Sequence, residues 1–270
     1  MAVLNATPDS FYDGGLYTTD ERARTRIDQL LTEGADLIDI GGESSRPTAK
    51  PVPAPEQIAR IEPAVRYALE RNAIVSVDTT DPLVAERMLT LGAQLINDIS
   101  CLAKPELARV CAAHGATLIL MHARGSMQSM SGFSRYPDDA YGDVVADVLG
   151  EWRRARDLAL DQGLRKEQVW LDPGLGFAKN ARHSFELLRG LSRLCGEGVP
   201  VVVGASRKSF ISAVDDVPPE KRLGGSIAAA LLAVERGASV LRVHDVHEMH
   251  QALLVARGIR GGLQSEAAHA

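Results

Sequence analysis

Short apolar runs alternate with longer amphipathic stretches along almost the whole chain. Runs rich in valine, isoleucine and leucine, bounded by turn residues, predict eight strands at 2–6, 37–41, 74–78, 95–99, 118–122, 169–172, 201–205 and 240–244. Helical periodicity between them predicts helices at 20–33, 55–71, 82–91, 105–113, 139–162, 181–194, 226–236 and 247–257. Strand and helix are therefore expected to alternate throughout.

Proline and glycine positions support these boundaries. Pro55, Pro82 and Pro105 stand where the first turn of a helix tolerates proline. Glycines suited to helix C-caps follow five of the predicted helices, at Gly34, Gly92, Gly115, Gly163 and Gly237. Both kinds of residue therefore mark the ends that the periodicity predicts.

The alternation decides the fold class. Continuous aliphatic strands separated by helices favour a parallel sheet, and eight units of ~30 residues favour a closed barrel over an open sheet. The dinucleotide fingerprint GxGxxG is also missing after the first strand. We predict an α/β fold, a single-domain (β/α)8 TIM barrel over 1–260, followed by a disordered tail over 261–270.

Composition and charge narrow the class of protein. With 45% hydrophobic, 24% charged and 4% aromatic residues, the chain of 270 residues can bury a full aliphatic core, as ordinary globular enzymes do. A net charge of −5 gives no support for nucleic-acid binding. The basic group Arg153, Arg154 and Arg156 is expected on the solvated face of a long helix.

The cysteine pattern and the lengths of the apolar runs indicate the cellular compartment that is expected. Cys101, Cys111 and Cys195 are odd in number and lack CxxC spacing, which argues against a disulfide framework and against a zinc site. No apolar stretch is long enough to span a bilayer, and the N-terminus carries no secretion signal. A cytoplasmic protein that does not enter membranes is expected.

Polar residues close the predicted strands, where a buried strand would ordinarily continue with apolar ones. In such barrels the loops after the strands build the active site at one rim, so these residues converge. The last two strands end in Ser206-Arg207-Lys208-Ser209 and Arg242-Val243-His244-Asp245. Cations and an imidazole gathered at strand ends predict an anionic ligand, here together with a polar heterocycle.

Strand alternation selects which of these side chains share a face. Arg242 and His244 are two residues apart and therefore point the same way, as an oxyanion clamp requires. Asn97 and Asp98 are adjacent and point in opposite directions, so we expect Asn97 to face the ligand and Asp98 to bond loop backbone. For Arg242 the alternative is a buried arginine–carboxylate pair without function.

Two central strands end in carboxylates, whose desolvation would be costly without a polar or charged partner. Burial of Asp78 or Asp172 would be strongly unfavourable unless a ligand or a cation met the charge. The alternative to a ligand is a carboxylate that caps the next helix or pairs with a nearby lysine or arginine. Either way, a polar partner is expected at both positions.

Motifs in these loops resemble the dihydropteroate synthase family. They are NATPDSFYDGG at 5–15, DIGGESSRP at 39–47, VDT at 77–79, NDI at 97–99, LMH at 120–122, DPGLGF at 172–177, SRKS at 206–209 and RVHD at 242–245. The resemblance runs in order from Val3 to about Gly258. It implies condensation of 6-hydroxymethyl-7,8-dihydropterin diphosphate with 4-aminobenzoate to 7,8-dihydropteroate and pyrophosphate, a transferase step of folate biosynthesis.

The resemblance also implies roles for individual residues. The implied pterin-binding residues are Asp78, Asn97, Met121, Asp172, Gly204 and Lys208. The implied diphosphate-binding residues are Asn5, Arg242 and His244, and Asn5 would also help to hold a Mg²⁺ ion that is otherwise ligated by diphosphate oxygens and water. The implied catalytic set is Asn5, Asp13, Lys208, Arg242 and His244. Asp13, like Asp9, lies on a glycine-containing loop and has an Asx-turn as its alternative role.

The implied aminobenzoate site lies largely on the second loop. Its residues are Ser45, Arg46, Pro47, Phe177 and Ser209. The family usually has threonine where Ser45 stands and glycine where Thr48 stands, so a methyl contact is lost and the loop is stiffer. These departures bear on the aminobenzoate site and on the response to sulfonamide analogues.

The implied mechanism needs no protein nucleophile. Diphosphate departs from the pterin C9 carbon, and the amine captures the resulting delocalised cation. Two other functions stay open: a pterin-dependent methyltransferase, which would not need the cations Lys208, Arg242 and His244, and a non-catalytic pterin-binding paralogue, which would lose clamp residues first. A homodimer formed through the later helices is expected from the resemblance.

Overall fold

A computed structural model describes residues 1–6, 19–43, 50–125 and 134–261. The strands are β1 Ala2–Asn5, β2 Leu37–Gly41, β3 Ile74–Asp78, β4 Leu95–Asp98, β5 Thr117–Met121, β6 Val169–Asp172, β7 Val202–Val203 and β8 Val240–Leu241. The helices are α1 Thr19–Thr32, α2 Ala54–Glu70, α3 Pro82–Leu91, α4 Glu106–Ala113, α5 Val144–Asp161, α6 Ala181–Arg189, α7 Leu191–Cys195, α8 Leu223–Glu235 and α9 Val246–Ile259. The predicted alternation of strand and helix is confirmed.

The strands close into a ring, which confirms the predicted (β/α)8 barrel. Strands β1 to β6 pair in chain order and in parallel, and β7 pairs with β8. A parallel bridge between Leu171 and Val201 joins β6 to the β7 segment. A second parallel bridge, between Ala2 and Val243, joins the β8 segment back to β1. The closure brings residues near the end of the chain beside residues near its start.

Several boundaries differ from the prediction for local physical reasons. Strand β8 is shorter than the predicted 240–244, because the amide of His244 donates to the Oγ of Ser206 at 3.2 Å instead of to a neighbouring strand. The helix predicted at 139–162 begins only at Val144, where the carboxylate of Asp143 caps the amides of Val145 and Ala146. The helix predicted at 181–194 is interrupted at Gly190.

Other sequence-based predictions agree with the structure. All five glycines predicted as C-caps have positive φ angles, from 66° at Gly115 to 113° at Gly92. Arg153 and Arg154 are exposed on α5, as predicted. Of the predicted tail, only Gly261 lies within the described residues. None of the helices in the described ranges is long and apolar enough to cross a membrane.

Two apolar clusters hold the barrel together. The larger one packs helices against the outer face of the sheet and includes the fully buried Trp152. The smaller one fills the lower part of the barrel interior, with Met1, Leu37, Leu95, Ile119 and Val202 as its buried members. Because side chains alternate along a strand, the next inward-facing position on each strand lies one layer higher. On β2 and β4 that next position is polar, with Asp39 and Asn97, whereas on β5 it is the apolar Met121.

Candidate active site

Four strands place side-chain positions in one row at their carboxyl ends. The register pairs Asn5 with Gly41, Gly41 with Asp78, and Asp78 with Asn97. A Cβ at Gly41 would lie 3.3 Å from the Cβ of Asp78 and 3.7 Å from the Oδ1 of Asn5, so glycine leaves these two groups room to approach. Three residues predicted from separate motifs are therefore neighbours at the upper rim.

An ion-paired cluster joins Asp78 of this row to Asp39 on β2 and to Arg242 after β8. The Nε of Arg242 donates to the Oδ2 of Asp39 at 2.7 Å, and its Nη2 donates to the Oδ2 of Asp78 at 2.9 Å. Asp39 is completely buried, and it also accepts from Ser76 and from the Nδ2 of Asn97. The arginine–carboxylate pairing that the sequence left as an alternative is thus present, and it joins predicted ligand-binding residues to one another.

Burial sets the protonation of this cluster. Loss of solvent raises the pKa of Asp78 to about 7, with the nearby Arg242 opposing the shift. The paired carboxylates outweigh the desolvation of Arg242 and raise its pKa, so this side chain stays cationic. Near neutral pH the cluster therefore combines the permanent cation of Arg242 with the carboxyl group of Asp78, which can gain or lose a proton.

A second carboxylate and a lysine stand on the opposite side of the opening. Asp172 pairs in register with Met121, which is buried, and it accepts from the amide of Gly174 at 2.7 Å. Burial raises the pKa of Asp172, with Lys208 nearby opposing the shift. Burial also lowers the pKa of Lys208 to about 8, against the pull of Asp172. The two groups can thus offer an acceptor and donors to one planar ligand.

The Lys208 amine has defined contacts that aim it into the site. It donates to the carbonyl oxygen of Leu175 at 2.6 Å and lies 4.7 Å from the ring centroid of Phe177. A Cβ at Gly204 would lie 3.7 Å from this amine and 3.9 Å from the Cβ of Arg242. Gly204 therefore occupies the floor between the two cations, where a side chain would compete for ligand space.

His244 is placed to act as a neutral hydrogen-bonding group. Burial, reinforced by Arg242 nearby, lowers its pKa to about 4. The Nδ1 of His244 lies 3.0 Å from the Oγ of Ser206. A hydroxyl that donates to Nδ1 leaves the Nε2–H group free to donate to a ligand oxygen. Of the two roles that histidine could add to a clamp, a charge or a hydrogen bond, the structure favours the hydrogen bond.

The loop after β6 holds the predicted ring-contacting residue. Gly174 adopts a φ angle of 65°, and a Cβ there would lie 2.1 Å from the carbonyl oxygen of His122, so only glycine fits. This turn lets the amide of Phe177 bond the carbonyl of Gly174 at 3.0 Å and buries the Phe177 ring. Ser209 donates to the Oγ of Ser134 at 2.8 Å. Ser134 carried no motif signal in the sequence.

The prediction that Asn97 and Asp98 face opposite ways agrees with the contacts. Asn97 points into the interior cluster, whereas Asp98 accepts from the amides of Ser100 and Leu102 in the following loop. Asp98 is fully buried and acts as a loop brace. His247 and His250 are both exposed on α9.

Lys179 forms a second buried polar group with His122, and no sequence pattern predicted Lys179, whereas His122 stands in the LMH motif at 120–122. Lys179 and His122 are fully buried, and the Lys179 amine lies 2.8 Å from the Nδ1 of His122 and 3.0 Å from the carbonyl of Phe177. The Nε2 of His122 lies 2.9 Å from Glu151. Desolvation lowers the pKa of Lys179 to about 7 and that of His122 to about 4. A neutral His122 that accepts at Nδ1 and donates at Nε2 fits both contacts.

Part of the predicted site lies outside the described residues. This applies to Asp13, which was predicted to be catalytic, and to Asp9 on the first loop, and to Ser45, Arg46, Pro47 and Thr48 on the second. Glu43, just before that second segment, is described, and it bonds the amide of Val52 and the side chain of Gln57.

The fit of a metal ion can be judged from the donors present. Among the described residues no group of three or more histidine, cysteine, aspartate or glutamate side chains could hold one. Asn5 offers a neutral amide oxygen on an exposed side chain at the rim. This donor fits a magnesium ion that takes most of its ligands from a bound phosphate group and water.

Comparison with known proteins agrees with this geometry. The family model "Pterin binding enzyme" matches residues 1–244. The dihydropteroate synthase of Haemophilus influenzae is 39% identical over 247 residues, covering 91% of this chain and 88% of the relative. Two structures of the Xanthomonas albilineans dihydropteroate synthase each cover 96% of this chain and 92% of the other. One, with 4-aminobenzoic acid, has a TM-score of 0.88 and 39% identity, and one, with 7,8-dihydropteroate, has 0.85 and 38%.

The agreement extends to a second solved enzyme. The Thermus thermophilus dihydropteroate synthase in complex with 6HMPPP has a TM-score of 0.81 and 38% identity, covering 96% of this chain and 93% of the other. Fold, strand-end residues and near-complete coverage of the relatives therefore point the same way. The chain belongs to the dihydropteroate synthase family of pterin-binding enzymes.

Proposed function

We propose that this protein is a dihydropteroate synthase, which joins 6-hydroxymethyl-7,8-dihydropterin diphosphate to 4-aminobenzoate and releases pyrophosphate. The observation that carries this proposal is the upper barrel layer, where Asp78, Asp172, Asn97, Lys208 and Arg242 lie together at the carboxyl ends of the strands. The same reaction accounts for the bound molecules of the X. albilineans enzyme, one a substrate and one the product.

The pterin site is proposed to lie between the two sides of the opening. On one side Asp78 and Asn97 stand next to each other in register, and on the other Asp172 lies beside Met121. A pterin presents amino and ring N–H donors to carboxylates and a carbonyl oxygen to the Lys208 ammonium. Gly204 has no side chain that would occupy the space for the flat pterin ring. Phe177 lies beside Lys208 and is close enough to contact the edge of the pterin ring on that side.

The leaving group is proposed to meet Arg242 and His244. Arg242 uses one N–H on Asp39 and one on Asp78, which leaves its Nη1 group for a phosphate oxygen. The neutral His244 adds a hydrogen bond rather than a charge. Because negative charge accumulates on the departing diphosphate, donors fixed in advance stabilise the transition state more than the ground state.

Carbon–nitrogen bond formation is proposed to proceed by capture of a pterin cation. The C9–oxygen bond breaks, and its electron pair leaves with pyrophosphate. Ionised Asp78 and Asp172 stabilise the positive charge spread over the ring. The amine nitrogen of 4-aminobenzoate then bonds to C9 and loses a proton. Ser209 and Phe177, with Ser45, Arg46 and Pro47, are proposed to hold the aminobenzoate.

Magnesium is proposed as the metal of the reaction. When bound, it would neutralise part of the diphosphate charge as that group leaves. Asn5 would hold it through Oδ1, and Asp13 is proposed to contribute from the same loop. The absence of a carboxylate cluster among the described residues makes the protein's own affinity for the ion depend on the diphosphate.

The two competing functions are less compatible with the site. A pterin-dependent methyltransferase uses the pterin-binding acids but has no anionic leaving group to hold, so Lys208, Arg242 and His244 would be unexplained. A non-catalytic paralogue would not need to keep a buried cation with an open donor group. The clamp residues that lie within the described ranges are all present.

A homodimer in the cytoplasm is proposed for the assembled enzyme. Helices α8 and α9 pack on each other, and their outer faces expose Leu232, Leu254, Val255 and Ile259. An apolar patch of this kind fits a second copy of the chain related by a twofold axis. Light scattering should give twice the mass of the chain, and Ile259→Glu should shift it towards the monomer. A monomeric wild type would contradict the dimer.

The reaction can be tested with purified protein, the pterin diphosphate, Mg²⁺ and 4-aminobenzoate. Pyrophosphate release should depend on the amine, and mass spectrometry should detect dihydropteroate. Lys208→Ala serves as the inactive control. Tight pterin binding by the wild type without product would favour the non-catalytic paralogue instead.

A further inference from the structure

Asp39 lies in the middle of β2, below the rim, and is completely buried. Its Oδ1 accepts from the Oγ of Ser76 at 2.6 Å. Its Oδ2 accepts from the Nδ2 of Asn97 at 3.0 Å and from the Nε of Arg242 at 2.7 Å. One carboxylate oxygen thus holds two residues that the proposed function places on different parts of the substrate.

The bond to Asn97 fixes which end of its amide faces the opening. An ionised carboxylate can only accept hydrogen bonds, so the Asn97 nitrogen must face Asp39. The amide oxygen Oδ1 then points away from Asp39, and no described residue donates to it. Asn97 therefore presents an acceptor to a ligand, which suits a heterocycle edge that carries N–H groups.

The bond to Arg242 fixes the plane of its guanidinium. Contacts at Nε with Asp39 and at Nη2 with Asp78 hold the two nitrogens that share one side of this rigid planar group. Nη1 lies on the other side and is bonded by neither carboxylate. Without Asp39, Arg242 would keep its countercharge in Asp78 but would be free to rotate about that single contact.

We propose that Asp39 is a positioning residue, which aligns Asn97 for the pterin ring and Arg242 for the diphosphate through one shared oxygen. The proposal rests on the proposed function for the identity of the two ligands. A residue in this role touches no substrate atom, and its effect on both halves of the substrate is transmitted through its neighbours.

Calorimetry with two separate probes tests this role on the folded protein. One probe is 6-hydroxymethyl-7,8-dihydropterin, which lacks the diphosphate, and the other is inorganic pyrophosphate with Mg²⁺. Asp39→Ala should weaken binding of each probe about 10-fold or more, since it removes the acceptor from both partners. Asp39→Asn should bind both more tightly than Asp39→Ala, because its amide can turn its nitrogen to Ser76 and keep an oxygen for Asn97 and Arg242.

Two control variants separate positioning from general loss of structure. Asp98→Asn alters an equally buried carboxylate that braces a loop, so it should lower the unfolding temperature and leave both affinities within about 2-fold. Ser76→Ala removes only the donor to Oδ1 and should also leave both affinities nearly unchanged. Equal losses in Asp98→Asn and Asp39→Ala, or wild-type affinities in Asp39→Ala, would overturn the proposal.

A double variant keeps the test decisive if Asp39→Ala does not fold. In Asp39→Asn with Ser76→Ala, the new amide nitrogen has lost its acceptor, so the combined loss of affinity should exceed the sum of the single losses. Additive losses would contradict the shared-oxygen geometry. Turnover of the wild type is measured in parallel. A wild type that binds the probes without forming product would refute the proposed function, but the binding data on the Asp39 variants would still test the positioning role.

Discussion

The lower and upper halves of the barrel interior are built from the same strands but have opposite chemistry. Leu37 and Leu95 face inward in the lower half, among apolar neighbours. Two residues further along, Asp39 and Asn97 face inward in the upper half and bond to each other. A single step in strand alternation therefore separates the apolar part of the interior from the part that is proposed to bind a ligand.

The two halves also differ in how much desolvation of charged groups they require. Buried ion pairs contribute little net stability, because desolvation offsets most of the attraction. The lower half avoids that cost, whereas the upper half holds Asp39, Asp78 and Arg242 together behind an opening. The proposed ligand site explains such a cluster better than folding stability does. The two halves should therefore respond differently to substitution.

The largest expected effect is in the upper half, at Lys208. Lys208→Ala removes the ammonium that donates to the pterin and offsets Asp172, so kcat/KM should fall about 1,000-fold, or roughly 4 kcal/mol. Steady-state kinetics and calorimetry with a pterin probe provide the measurement. The unfolding temperature should change little, because the desolvation of Lys208 offsets the attraction between its ammonium and Asp172. Wild-type pterin affinity in this variant would show that Lys208 does not bind the pterin.

The matching change in the lower half is Ile119→Ala. Ile119 is fully buried in the apolar cluster, so the free energy of unfolding should fall by about 2–5 kcal/mol. Denaturant unfolding measures this loss. The kcat/KM of the folded fraction should stay within about 3-fold of the wild type, since no predicted ligand contact is removed. A specific loss of pterin affinity at full folding would show that the two halves are not separable.

A smaller effect is expected from pH. Asp78, with its pKa near 7, must ionise to stabilise the pterin cation, and Lys208, with its pKa near 8, must stay protonated to donate. The value of kcat/KM should therefore rise towards neutral pH and fall above it, by about 10-fold per pH unit far from the optimum. Arg242 favours the ionised form of Asp78, whereas Asp39, Asp98 and Glu43 oppose it.

The acid limb of this profile has a direct control. Asp78→Asn cannot ionise, so its residual activity should lose the limb near pH 7 while keeping the decline above pH 8. An unchanged acid limb in this variant would assign the ionisation to another group.

The smallest expected effect is at the edge of the opening. Ser209→Ala removes one neutral hydroxyl, which already bonds Ser134 at 2.8 Å, so KM for 4-aminobenzoate should rise less than about 10-fold. The KM for the pterin diphosphate should not change. Initial rates at varied concentrations of each substrate separate the two constants, and an equal rise in both would place Ser209 outside the aminobenzoate site.

The sequence was most informative where periodicity and chemistry coincide. Strand alternation predicted that Arg242 and His244 share a face and that Asn97 and Asp98 do not, because those relations are local. Asp39 received no role, since its partner Arg242 lies 203 positions away and meets it only when β8 closes against β1. Lys179 was missed because lysine is seldom fully buried. Its amine has three acceptors, the Nδ1 and carbonyl oxygen of His122 and the carbonyl oxygen of Phe177, and His122 lies 57 positions away.

A crystal structure with 6-hydroxymethylpterin bound would decide whether the upper layer of the barrel binds the pterin. The ring should lie between the Asp78–Asn97 side and the Asp172–Lys208 side, with the Asn97 amide oxygen towards a ring N–H and Asp39 bonded behind it. A pterin bound away from these residues, or one that displaces Arg242 from Asp39, would contradict the account.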